Sequence, residues 1–279
     1  MIFQPETRKD ALALLAQYGS QLVVVSGGTD VLPSLRAGKY VVSSFLDISH
    51  LKDLSFCYQE NDYLYLGPSL THTQILEHEL VRSLVPLLGS ACSSIGSPQI
   101  RNRGTLGGNV ITLASCSDSI PALLVLGARL TFTSSSGSRT ISLSEYLVSP
   151  LVESSELLTC ISIPLPSGSG WAYYHKKIAR RQAAAKSRMS VALVARMEEG
   201  RFSSCNIACG AVTSVPYLIS SANDLVVGQC PSEDLGRQLG VLAAKEISEN
   251  APMRQSYAYK LPVLQELVKR AIVSCGSLS

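Results

Sequence analysis

Gly96-Ser97-Pro98-Gln99-Ile100-Arg101-Asn102-Arg103-Gly104-Thr105-Leu106-Gly107-Gly108-Asn109 is the stretch on which the reading of the fold turns. Gly104, Gly107 and Gly108 are interleaved with the hydrogen-bonding side chains of Asn102, Thr105 and Asn109, and Asp118 follows further on. Glycine admits backbone angles closed to other residues and leaves the main chain bare toward an incoming group. Such a loop suits a phosphate-rich ligand, because hydroxyl and amide groups reach phosphate and sugar oxygens. A carboxylate beside a phosphate is repelled, so Asp118 is better matched to a sugar hydroxyl.

Working toward the N-terminus, the β-branched run from Gln21 to Val25 enters a second glycine turn, Ser26-Gly27-Gly28-Thr29-Asp30, with a short helix expected after it. Consecutive N–H groups there can point at one anion, with the Thr29 hydroxyl beside them, which suits a pyrophosphate oxygen. Taken alone, a Gly-Gly turn between strand and helix is more often only a turn. The standard nucleotide fingerprints are absent: no Gly-x-Gly-x-x-Gly follows the first strand, and Gly38-Lys39-Tyr40 lacks the upstream glycine and the Ser/Thr of a P-loop. A Rossmann dehydrogenase and a P-loop NTPase are disfavoured.

Around these loops the pattern is mixed α and β. Thr7, Asp10 and the apolar Ala11, Leu12, Leu14 and Leu15 predict a capped first helix ending near Gly19. Strands are expected over 40–48, 56–58, 63–66, 129–133, 139–141 and 157–163, and helices over 71–79, 85–92 and from close to Pro121. Pro164-Leu165-Pro166-Ser167-Gly168-Ser169-Gly170 is the strongest linker signal and places a domain boundary. The expected domains are 1–166, with subdomains of about 1–54 and 55–166, and 167–279. Beyond the boundary, 171–178, 191–197 and 202–209 read as three antiparallel strands, the last two joined by Glu198-Glu199-Gly200. Two helices, over about 233–250 and 255–274, follow.

Composition narrows the function classes. Of 279 residues, 46% are hydrophobic and 16% charged, against roughly 25% charged in an average soluble chain, so part of the surface is expected to face partners. The net charge of +3 and the scattered basic residues argue against nucleic acid. The charged N-terminus and the lack of a long apolar window predict a soluble cytoplasmic chain with no membrane span. The eight cysteines read as free thiols, and Cys205 and Cys209 as core residues rather than metal ligands; no metal site is expected in this chain. His50, His72, His78 and His175 share no ligand spacing and read as surface or capping residues. Lys176, Lys177, Arg180, Arg181, Lys186 and Arg188 read as a solvated face, or as contacts to ligand phosphates, a second dinucleotide or a partner subunit. Trp171, Tyr173 and Tyr174 read as core or domain-interface packing rather than a stack on a ligand ring.

The two loops, in this order and spacing, together with Tyr174 to Ala192, resemble the FAD-binding medium subunit of the molybdenum hydroxylases, the family of xanthine dehydrogenase and carbon monoxide dehydrogenase flavoproteins. The resemblance covers nearly the whole chain. It implies an α+β architecture: an FAD-binding fold of the vanillyl-alcohol oxidase (PCMH) type with two α/β subdomains, plus a C-terminal domain of a three-stranded antiparallel sheet and helices. It implies non-covalent FAD, with Ser26, Gly27, Gly28, Thr29 and Asp30 and then Thr105, Gly107, Gly108 and Asn109 at the pyrophosphate. Val24 and Ile95 would flank the isoalloxazine, Asp118 would bind ribityl or nearby hydroxyls, and Ile100, Thr112 and Ser117 join the cofactor-binding set. Ala185 and Lys186 match a C-terminal loop that approaches the flavin. No catalytic acid or base is implied.

By the same resemblance, the molybdenum cofactor and 2Fe-2S clusters belong to partners, a large molybdenum subunit and a small iron–sulfur subunit, and electrons pass through FAD here to NAD or another acceptor. The sequence departs from the family at Ser26, where alanine is common, in the proline-free loop 113–118, and in 182–186, which lacks the acidic-then-isoleucine pattern. Two other readings stay open, a free-standing flavin oxidoreductase of the same fold and a flavin-free assembly or binding module.

Overall fold

The computed structural model describes residues 1–38, 44–180 and 186–276. The chain divides into two compact units: Met1–Leu84, Ser97–Thr112 and Gly127–Leu165 form the first, and Val85–Gly96, Leu113–Leu126 and Pro166–Ser279 the second.

The first unit holds two sheets. Strands β1 (Ile2–Phe3), β2 (Leu22–Val25) and β3 (Ser44–Asp47) pair in parallel in the order β1-β3-β2, with Val24 opposite Leu46. The helix Arg8–Tyr18 links β1 to β2, the two outer strands, and the helix Val31–Arg36 lies in the crossover between the paired β2 and β3 that a parallel pair requires. Thr7 caps the first of these helices by accepting the Asp10 N–H at 3.2 Å, and Ala11, Leu12 and Leu15 pack with Leu22, Leu46 and Ile48. Of the expected strand over 40–48, residues 40–43 lie outside the described residues.

The second sheet is antiparallel, in the order β4-β5-β8-β6-β7, from β4 (Cys57–Glu60), β5 (Tyr63–Leu66), β6 (Arg129–Ser134), β7 (Gly137–Ser142) and β8 (Leu157–Pro164). The last strand enters the middle, setting Ile163 opposite Leu64 and Ile161 opposite Leu130, so residues far apart in sequence close one core. After β5, the helix His72–Glu77 opens with a capping box: Thr71 Oγ1 accepts the Gln74 N–H at 3.2 Å and Gln74 Oε1 accepts the Thr71 N–H at 2.8 Å. Replacing Thr71 by alanine is expected to lower the unfolding free energy by about 1 kcal/mol in urea titration of the full chain.

In the second unit, β9 (Trp171–Ala179), β10 (Ser187–Glu198), β11 (Arg201–Gly210) and the two-residue β12 (Tyr217–Leu218) form an antiparallel sheet. The β10–β11 turn has positive φ at both Glu199 and Gly200, the backbone of a two-residue hairpin that matches strand twist. Strand alternation divides the sheet. Met189, Val191, Leu193 and Ala195 join a core with Leu239, Ala243 and Ile247 of helix Glu233–Asn250 and Leu264, Val268 and Ile272 of helix Tyr257–Cys275. The helices Pro86–Ser93 and Ser119–Val125 also pack on this sheet, the first against β9 and the second against β10 and β11; a Cβ on Gly210 would lie 3.0 Å from Pro121 Cγ. A reading in chain order groups these helices with the first 166 residues, whereas their apolar faces are buried within the second unit. The cysteines form no disulfide among the described residues, and Cys205 and Cys209 are buried in the second unit's core. Among the described residues, no helix is long and apolar enough to cross a membrane.

Candidate functional site

In the first unit, the two glycine segments are pressed together. A Cβ on Gly27 would lie 2.0 Å from the Arg103 carbonyl oxygen and 3.0 Å from the Gly104 α-carbon, so only a bare backbone fits there. A Cβ on Gly104 would lie 3.2 Å from Thr29 Oγ1. Gly28 takes φ +71°, in the left-handed region. Among the described residues, the N–H groups of Gly27, Gly28, Thr29 and Thr105 make no hydrogen bond within the chain. Orphaned donors clustered on a glycine turn fit an anion.

The second segment differs from a plain glycine loop, because its later part winds into the helix Leu106–Thr112. Its backbone is committed: Leu106 N–H donates to Leu70 O at 2.9 Å, Gly107 N–H to Pro68 O at 2.8 Å and Gly108 N–H to Thr105 Oγ1 at 3.1 Å. Gly107 is glycine for packing, since its Cβ would lie 2.5 Å from Pro68 Cβ. Gly108 is exposed and Asn109 half-buried, whereas Ile100, Thr112 and Asp30 are exposed. Val24 is half-buried on β2, and Ser26 Oγ reaches Ser69 Oγ at 3.5 Å.

Beneath the second segment lies His72, which the sequence reading left at the surface or in a cap. Its N–H donates to Gly104 O at 3.0 Å, and its ring sits 3.3 Å from where a Gly104 Cβ would be. The residue is 2% exposed. Burial, and then the charge of Arg101, push the imidazole down from 6.5 to about 4. The unfolded chain therefore takes up a proton between these values that the folded chain refuses. The contribution is complete above about pH 6.5 and is lost as pH falls through about 4. Wild-type stability in urea should fall measurably from pH 7 to about pH 5, and His72→Gln should reduce that dependence, His175, lowered by burial from 6.5 to about 4, supplying the rest.

The second unit carries the remaining predicted residues. Ile95 is buried in the turn after helix Pro86–Ser93. Ser117 and Asp118 end a turn that begins at Leu113 with φ 47° and is tied down by the Ala211 N–H donating to Ser115 O at 2.7 Å. Asp118 is 3% exposed, with Oδ2 accepting from Lys177 Nζ at 2.7 Å. Burial raises its carboxyl above the usual range, against the pull of Lys177. Lys177 also donates to Ser94 O at 2.8 Å. The sequence left Lys177 either on a solvated face or in contact with FAD phosphates, a dinucleotide acceptor or a partner subunit; the strand period, which puts it on the same side of β9 as His175, was the signal available for its burial. Lys176, Arg180, Lys186 and Arg188 are exposed, and Ala185 lies outside the described residues. No cluster of three or more His, Cys, Asp or Glu that could hold a metal occurs among the described residues.

The family model for the FAD binding domain in molybdopterin dehydrogenase matches residues 1–166, and that for the CO dehydrogenase flavoprotein C-terminal domain matches residues 173–275. The chain belongs to this family of FAD-binding molybdopterin dehydrogenase components, and is thereby an FAD-dependent oxidoreductase subunit. It is similar to the nicotinate dehydrogenase FAD-subunit of Eubacterium barkeri, at 29% identity over 97% of this chain and 94% of the relative. It is also similar to the xanthine dehydrogenase FAD-binding subunit of Escherichia coli O157:H7, at 28% identity over 95% and 92%. Among solved structures, reconstituted CO dehydrogenase from Oligotropha carboxidovorans has the same fold, with a TM-score of 0.92 at 23% identity, covering 100% of this chain and 98% of that one.

Proposed function

We propose that this chain holds FAD non-covalently as the medium subunit of a molybdenum hydroxylase, beside a large molybdenum-cofactor subunit and a small iron–sulfur subunit. The observation that carries the reading is the Gly27 contact: a bare backbone against Arg103 and Gly104, with the N–H groups of Gly27, Gly28 and Thr29 unused by the described chain. These residues fit a pyrophosphate, an anion that needs donors and close backbone approach. Bound FAD would supply the redox chemistry, taking electrons from iron–sulfur clusters and passing a hydride to NAD or another soluble acceptor.

This chain's own contribution is binding and placement. Gly27, Gly28 and Thr29 donate to the pyrophosphate, and Thr105 adds its free N–H. Gly107 keeps the second segment close-packed, with Gly108 and Asn109 following it on the pyrophosphate side. Val24 and Ile95 supply apolar surface to the isoalloxazine, with Ile100, Thr112, Ser117, Asp118, Ala185 and Lys186 completing the set. The FAD-binding domain would end near residue 166, with 167–279 as the C-terminal domain, and the complex would reside in the cytoplasm.

Purified full-length chain, incubated with FAD and desalted, should retain the yellow flavin at close to one per chain. Colourless protein that refuses FAD while folded would sink the reading. Copurification of two further subunits separates the complex from a free-standing oxidoreductase, and reduction of NAD by the assembled complex tests the acceptor.

A further inference from the structure

Lys177 is an unusual place for a charge. Its side chain is 11% exposed, and it stands on β9 directly opposite Ser190 of β10. An ammonium leaves water only for strong partners, and this one has two from separate parts of the chain: the Ser94 carbonyl at 2.8 Å and Asp118 Oδ2 at 2.7 Å. Ser94 terminates helix Pro86–Ser93, where a cation meets the partial negative charge of the last carbonyls. Asp118 occupies the N-cap position of helix Ser119–Val125 yet makes no capping bond, so its carboxylate is turned to Lys177 instead. Its Oδ1 is buried without a hydrogen-bond partner among the described residues, as are the Ser187 and Ser190 hydroxyls.

We propose that Lys177 is a positioning residue for the flavin: by holding the Ser94 carbonyl and the Asp118 carboxylate together, it sets the turn bearing Ile95 and the turn bearing Asp118 in one geometry, and so governs how FAD is held. This rests on the reading above that Ile95 and Asp118 belong to the flavin environment. Loss of the ammonium would leave the Asp118 carboxylate buried and unpaired, and the Ser94 carbonyl without its donor.

The test compares wild type with Lys177→Met and Lys177→Arg in the full-length chain. FAD itself is the titrant, followed by flavin fluorescence, with visible circular dichroism at saturation. Lys177→Met should weaken FAD binding roughly tenfold or more, the equivalent of one charge-assisted hydrogen bond, and alter the visible dichroism of the bound flavin. Lys177→Arg should recover most of both, since it restores charge and donors. If Lys177→Met does not fold, Lys177→Gln, which keeps amide N–H donors but not the charge, takes its place and should show the same loss in smaller measure. A folded Met or Gln variant with wild-type affinity and dichroism overturns the proposal alone. Wild-type protein that takes up no FAD overturns the underlying reading as well.

Discussion

Gly27→Ala is expected to abolish FAD retention and to lower the melting temperature of the full-length chain. The added methyl carbon would sit 2.0 Å from the Arg103 carbonyl oxygen and 2.8 Å from its carbon. Both are backbone atoms in a segment held by its own hydrogen bonds, including Gly104 N–H to Ile100 O at 2.6 Å, so neither can swing aside as a side-chain tip would. The two segments must separate, and overpacking of this kind costs about 1–3 kcal/mol or more. The same separation moves the donors of Gly27, Gly28 and Thr29 away from Thr105. Gly200→Ala provides the contrast. That residue has φ +75° and no atom within 4 Å of a new Cβ, so the substitution should cost about 1 kcal/mol through backbone strain while leaving FAD binding unchanged. Calorimetry of both variants, with flavin absorbance after desalting, decides it. A Gly27→Ala protein as stable and as yellow as wild type would show that the close approach has no role.

Glu246→Ala is the second large effect expected, and it falls on stability. The carboxylate, 7% exposed on helix Glu233–Asn250, gathers four donors from the turn before helix Ala222–Val226. Oε1 accepts the Ser220 N–H and hydroxyl, each at 2.9 Å, and Oε2 accepts the Ser221 N–H at 3.1 Å and hydroxyl at 2.5 Å. Burial alone would raise its pKa, but the four bonds outweigh burial and hold the carboxyl below its ordinary 4.5. Removing the acceptor leaves two backbone donors and two hydroxyls unsatisfied, a loss of about 2–4 kcal/mol at neutral pH.

The sign of the pH dependence follows from the direction of that shift. A depressed carboxyl stabilises fully above its unfolded value of 4.5, and the benefit disappears as pH falls through the lower folded value. The difference between wild type and Glu246→Ala should therefore be large at pH 7 and shrink as the solution is acidified below about pH 4. Urea denaturation at both pH values measures it. A pH-independent difference would assign the effect to lost packing instead.

Much of the fold was legible because local rules and tertiary outcome agree. Thr7 and Asp10 mark the start of the first helix, and Gly19 its end, by capping chemistry that needs no distant partner. The Glu199-Gly200 turn and the flanking alternation read directly as a hairpin. The helix Leu143–Val148 and its Ser142 capping box were missed, since six residues with little apolar periodicity carry a weak signal. The burial of His72 was also hidden, because a histidine beside a glycine segment has the same sequence whether it faces water or the main chain.

By itself the sequence determined where the chain turns, which runs are strand or helix, and which two glycine segments resemble the family's; these are properties of neighbouring residues and of short-range backbone sterics. Only the tertiary structure decided which glycines serve close packing. Gly27 lies bare against Arg103 and Gly107 against Pro68, and no spacing rule distinguishes them from Gly108 at the surface. It also decided that residues 85–96 and 113–126 join the C-terminal sheet, and that Lys177 is buried against Asp118 rather than solvated with its basic neighbours. The physical reason is that burial and charge pairing are settled by residues far apart in sequence, whose meeting depends on the packing of whole elements and not on any local pattern.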